Sequence, residues 1–92
     1  MAKIKISESK TEIGWTFKVT VSNGNSTIHN VKLTTDYYEY LSIPNAKPYR
    51  LVEGSFKFLL EREPKDMILR NFDLQIISRY FPEYETRISE YV

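Results

Sequence analysis

Ile13-Gly14-Trp15-Thr16-Phe17-Lys18-Val19-Thr20-Val21-Ser22 alternates large apolar residues with small or polar ones over ten positions. That period of two belongs to a strand with one face buried, because successive side chains of an extended chain point to opposite sides. It places Ile13, Trp15, Phe17, Val19 and Val21 inward. Asn23-Gly24 follows at once, and these residues tolerate the positive φ that a tight hairpin turn demands. Beyond it, Ile28 to Leu33 reads as a second strand with His29, Val31 and Leu33 inward and Ile28, Asn30 and Lys32 outward. Upstream, Ile4 and Ile6 alternate with Lys3 and Lys5, which adds a third strand and completes a three-stranded antiparallel meander. Two of the three strands are then edges, and lysines along them discourage indiscriminate pairing.

After the meander the period changes. Thr34, Thr35 and Asp36 offer capping oxygens to a short helix over Tyr37 to Leu41, and Pro44 and Pro48 bracket a loop. From Pro48 to Glu63, Leu51, Val52, Ser55, Phe56, Leu59 and Leu60 recur at spacings of three and four, the stripe of an amphipathic helix. Gly54 inside that stripe lowers helix propensity and points to close packing against a neighbour. Pro64 suits the first turn of a helix reaching Leu69 or Arg70. Asp73 can cap another over Leu74 to Phe81, and Pro82 opens a last segment with Tyr84, Ile88 and Tyr91 on one face. Strands at about 3–34 followed by helices at about 36–91 predict one α+β domain over residues 1–92, with several helices packed on one face of the meander. Trp15 and Phe56 are expected between sheet and helix.

The string Ser55-Phe56-Lys57-Phe58-Leu59-Leu60-Glu61-Arg62-Glu63-Pro64, followed by Ile68-Leu69-Arg70, Phe72-Asp73-Leu74 and Arg79-Tyr80-Phe81-Pro82-Glu83-Tyr84-Glu85, resembles small uncharacterised prokaryotic proteins. These share a β-hairpin region, a short helix with adjacent tyrosines and this C-terminal half. The resemblance implies an autonomous domain, and no activity comes with it.

Composition excludes much chemistry. With no cysteine among 92 residues there is no thiol nucleophile, Cys-ligated zinc or iron–sulfur cluster, and the absence fits a reducing cytoplasm. The opening Met-Ala-Lys-Ile-Lys-Ile lacks the apolar run of a signal peptide, and no window approaches a membrane span, so a cytoplasmic protein without a membrane partner is expected. Asn25-Ser26-Thr27 matches a glycosylation sequon but reads as turn chemistry in that setting. A single histidine, His29, builds no multi-histidine zinc site, and no nucleophile elbow supplies it with a partner. Gly14, Gly24 and Gly54 lie too far apart to form a phosphate loop. Glu61, Glu63 and Asp66, and further on Glu83, Glu85 and Glu90, are interleaved with Arg62, Lys65 and Arg70, which favours surface ion pairs over acid–base chemistry. No catalytic residue, cofactor or metal ligand is expected.

Two features point to binding. Tyr37, Tyr38, Tyr40 and Tyr49 form a tyrosine-rich stretch suited either to core packing or to a partner surface, since the ring buries area while the hydroxyl finds a hydrogen bond. The net charge of +1 is unevenly spread: up to Thr34 there are five lysines against Glu8 and Glu12, whereas the rest holds eight bases against ten acids. If Trp15, Phe17 and Val19 face the helices, Lys3, Lys5, Lys18 and Lys32 share the opposite face with Thr16, Thr20 and Asn30. A small sheet carrying lysines outward is a shape that some DNA-binding domains lay into the major groove, and equally an ordinary solvated face. The leading expectation is a small non-enzymatic domain acting through protein contact or self-association. Nucleic-acid binding through the lysine face is the alternative.

Overall fold

The second strand dominates the structure, as its alternation foretells. A computed structural model, describing residues 2–92, places β1 at Lys3–Lys10, β2 at Gly14–Asn23 and β3 at Asn25–Thr34, joined as two antiparallel hairpins. Phe17, Val19 and Val21 of β2 are buried, as are Thr27, His29, Val31 and Leu33 of β3. Ile4 and Ile6 of β1 are half-buried against the same core. The β2–β3 turn is Asn23-Gly24-Asn25, with Gly24 at φ +83, a conformation that glycine takes without steric cost.

Two expectations about this sheet are corrected. Ile13 is not inward: it lies in the β1–β2 turn with 71% of its surface exposed. The strand begins at Gly14, whose backbone is so close to β3 that a Cβ there would sit 2.1 Å from the Leu33 carbonyl oxygen. Nor is the sheet a three-stranded antiparallel meander. A fourth strand, β4 at Asn71–Asp73, pairs in parallel with β3, so the order is β1-β2-β3-β4 and the sheet is mixed. The edges are therefore β1 and β4, and β3 is interior.

The α+β class stands, with four α-helices among the described residues: α1 at Thr35–Leu41, α2 at Pro48–Leu60, α3 at Ile77–Tyr80 and α4 at Tyr84–Arg87. The Thr34 hydroxyl accepts from the Tyr37 N–H and caps α1. Pro48 stands in the first turn of α2, where its missing N–H leaves nothing unpaired. That helix buries more than one stripe. Leu51, Val52, Ser55, Phe56 and Leu59 are interior as expected, and so are Gly54 and Phe58. The Phe58 ring meets Phe81, Tyr84 and Tyr91 edge-on at 5.3 to 6.0 Å. α2 is thus a middle layer between the sheet and the C-terminal segment.

The segments after Pro64 are shorter and tighter than the sequence predicts. A 3-10 turn at Lys65–Met67 stands where a helix to Leu69 is expected, and Leu74–Ile76 is a 3-10 turn running into α3. The stretch from Ile68 to Asp73 is drawn out by β4: the Asn30 N–H donates to the Arg70 carbonyl at 2.7 Å, and a chain paired with a sheet cannot also coil. The closing segment behaves as read, with Tyr84 and Ile88 buried and Tyr91 half-buried.

Candidate interaction surface

Among the described residues the helices pack on one side of the sheet, and the other side, with Lys18, Asn30, Lys32, Asn71 and Asp73 exposed, is uncovered. Cross-strand register defines its rows: Ser7, Lys18, Asn30 and Asn71 in one, and Ser9, Thr16, Lys32 and Asp73 in the next. Together they floor a shallow trough of about 700 Å³. Its fourth wall is β4, tied across the row by the Asn30 side-chain amide donating to the Asn71 side-chain oxygen at 3.3 Å. Lys5 stands opposite Thr20 and Lys3 opposite Ser22, continuing the same face beyond the trough. All four sequence-predicted lysines are exposed and share this face.

Asp73 and Asn71 were absent from the sequence reading of the face. Asp73 stands beside Lys32 and is the one acid among the outward residues of the four strands. A second concavity of about 370 Å³ shares Thr16, Lys32 and Asp73 with the trough and ends at Ile13 and Trp15. The polar face therefore runs into an apolar end at the β1–β2 turn.

The tyrosines do not form one surface. Tyr37 is buried, its hydroxyl donating to Glu85 at 2.8 Å, and burial raises its pKa first, with the Glu85 carboxylate adding to the effect. Tyr38 donates to the Ala46 carbonyl and meets Trp15 edge-on, with ring centroids 5.2 Å apart. Tyr40 is exposed and stacks on Tyr37 at 5.9 Å, while Tyr49 sits at the start of α2 beside Arg50. Two are thus packing residues with satisfied hydroxyls, and the two exposed ones stand on different helices.

His29 is fully buried, with both ring nitrogens engaged. Its Nδ1–H donates to the Leu69 carbonyl at 2.7 Å, which leaves Nε2 to accept from the Thr27 hydroxyl at 2.8 Å. Burial lowers its pKa, and the charge of Arg70 acts in the same direction, against the Leu69 carbonyl. Of the carboxylates, Glu83 pairs with Arg62 at 3.0 Å, and Glu90 with Arg87 at 2.9 Å. Glu63 stands apart: it borders a small apolar recess with Ile68, Phe72 and Tyr80, and burial raises its pKa. Among the described residues no three His, Cys, Asp or Glu side chains are grouped to hold a metal, and no helix is long and apolar enough to cross a membrane.

A scan against protein-family models, a search of curated proteins and a search of solved structures each return no match.

Proposed function

We propose that this chain is a non-enzymatic interaction domain that docks an acidic segment of another protein on the open face of its sheet. The observation that carries the reading is the segregation of charge. Lys3, Lys5, Lys18 and Lys32 all stand on the uncovered face with only Asp73 against them, while the chain after Thr34 carries more acids than bases. A field of that sign draws an acidic partner and orients it before contact. Ser7, Ser9, Thr16, Asn30 and Asn71 supply donors that a carboxylate-bearing chain can use. A chain without cysteine suits the cytoplasm, where we place it.

The same lining favours one second reading, nucleic acid, since lysine, serine, threonine and asparagine are frequent contacts to phosphate oxygens. Against it, the four strands contain no arginine, the residue that most often reads bases from the major groove.

Titration of the isotope-labelled domain with a glutamate-rich peptide tests the proposal. Amide shifts are expected along Lys18, Asn30, Lys32 and Asn71, and Lys18→Glu with Lys32→Glu is expected to weaken binding about tenfold. Binding of a short DNA duplex with a steep loss on adding salt, in place of the peptide, would transfer the face to nucleic acid. A face that responds to neither ligand at low salt would remove both readings.

A further inference from the structure

β1 is the longer of the two sheet edges, eight residues against three for β4, and nothing among the described residues covers its outer side with another strand. An edge of that length carries unpaired backbone donors and acceptors along its whole run. Beside it, between the strand and α2, lies a groove of about 370 Å³ lined by Ala2, Ile4 and Leu60 with Glu53, Lys57 and Glu61. Lys57 is exposed and takes part in no ion pair among the described residues.

The side chains of β1 select a partner. In an antiparallel pair, residues directly opposite share a face, so two copies of one strand related by a two-fold axis pair only in registers centred on a single residue. Centring on Ile4 sets Lys3 opposite Lys5 twice, and centring on Lys5 sets that lysine against itself. Like charges directly opposite are destabilising. Centring on Ser7 sets Lys10 opposite Ile4, at the groove that already holds Lys57, and leaves Glu8 opposite Ile6, which does not line the groove. Centring on Ile6 sets no like charges directly opposite: Ile6 meets Ile6, Lys5 meets Ser7, Lys3 meets Ser9, Lys10 meets Ala2, and Glu8 arrives opposite Ile4. There the carboxylate faces Lys57, the one groove charge without an ion pair among the described residues, since Glu53 and Glu61 lie 3.3 and 3.6 Å from Arg50 and Arg62.

We propose that two copies of this chain associate through antiparallel β1 strands about a two-fold axis at Ile6, making one eight-stranded sheet in which Glu8 of each copy pairs with Lys57 of the other. Within one chain the pair is out of reach, because Glu8 lies four residues along the strand from Ile4, about 13 Å. The pairing rests on the β1 backbone and on Glu8 and Lys57, none of which the acidic-segment reading uses, so it stands or falls independently of that reading. It also joins two lysine faces into one continuous surface.

Sedimentation equilibrium from micromolar to millimolar concentration tests the pairing. The chain is expected to approach twice its own mass at the upper end. Glu8→Lys and Lys57→Glu are each expected to raise the dimer dissociation constant about tenfold, since two symmetric contacts turn repulsive, and the double variant E8K/K57E to restore it. Both positions are exposed, and unchanged thermal melts establish that the variants fold. Lys18→Glu is expected to leave the dimer constant alone. A chain that stays monomeric throughout, or single reversals that leave the dimer constant unmoved, would overturn the pairing while leaving the lysine-face reading untouched.

Discussion

The Tyr84 hydroxyl lies 2.6 Å from the Ser55 hydroxyl in the closed interior between α2 and α4. The Ser55 proton is already spent on the Leu51 carbonyl at 2.7 Å, so Tyr84 donates and Ser55 accepts. Burial pushes the Tyr84 pKa up, as expected of a phenol held neutral in the core. The two halves of this bond are consequently unequal. Ser55→Ala strands a buried donor and is expected to cost about 1–3 kcal/mol, whereas Tyr84→Phe leaves Ser55 bonded to Leu51 and costs about 1 kcal/mol. Denaturant midpoints for the two variants and their double check this: adding Tyr84→Phe to Ser55→Ala is expected to cost little more, or to regain stability.

His29 gives the fold a dependence on pH. Its folded pKa is depressed below the ordinary 6.5 by burial. Above 6.5 the imidazole is neutral both folded and unfolded, and its contribution is intact. As pH falls below 6.5 the unfolded chain takes up a proton that the folded chain resists, and stability drains until the lowered folded value is reached. Thermal melts between about pH 8 and pH 5 are expected to fall in this window, with a flatter slope in His29→Gln. An identical slope in the variant would show that other groups carry the dependence.

Gly54→Ala is expected to destabilise, although alanine is the better helix former. A Cβ at this position would lie 2.8 Å from the Tyr91 carbonyl oxygen and 3.1 Å from its carbon, which are backbone atoms that cannot swing aside. Overpacking of this kind costs about 1–3 kcal/mol and exceeds the roughly 1 kcal/mol gained in propensity. A raised melting temperature would mean that the C-terminal segment yields.

Phe56 and Trp15 are both at the junction of sheet and helices, with different weight. Phe56 is fully enclosed, its ring 5.3 Å from His29 and 6.1 Å from Phe72, and Phe56→Ala is expected to cost about 3–5 kcal/mol. Trp15 is half-buried against Tyr38, and Trp15→Ala is expected to cost about 2 kcal/mol. Chemical denaturation ranks the two, and the reverse order would misplace the core.

The parts of the molecule legible in the sequence were those with enough repeats to show a period. Phe17, Val19 and Val21 declare the inward face of β2, and with it the outward place of Lys18 and Lys32. Leu51 to Leu59 declare α2 in the same way. Asn71-Phe72-Asp73 is too short to show alternation, and its pairing with Asn30 to Lys32 depends on residues some forty positions away, so Asp73 reads locally as a helix cap. Phe58 falls off the sheet-facing stripe because a third layer, invisible to a one-sided helix pattern, receives it. The four tyrosines read as a group because they are near in sequence, whereas α1 and α2 present them in different directions.

The short parallel pairing between β3 and β4 sets an order of assembly. The two hairpins close from neighbouring residues on a microsecond scale, while joining Asn30 to Asn71 must bridge a sequence separation of 41 for only three paired positions. β4 is thus expected to dock late and to detach early, and early amide exchange at Asn30 relative to β2 would register it. Anything lodged between Lys18 and Asn71 would fasten that closure, so occupancy of the trough and completion of the fold become two readings of one equilibrium.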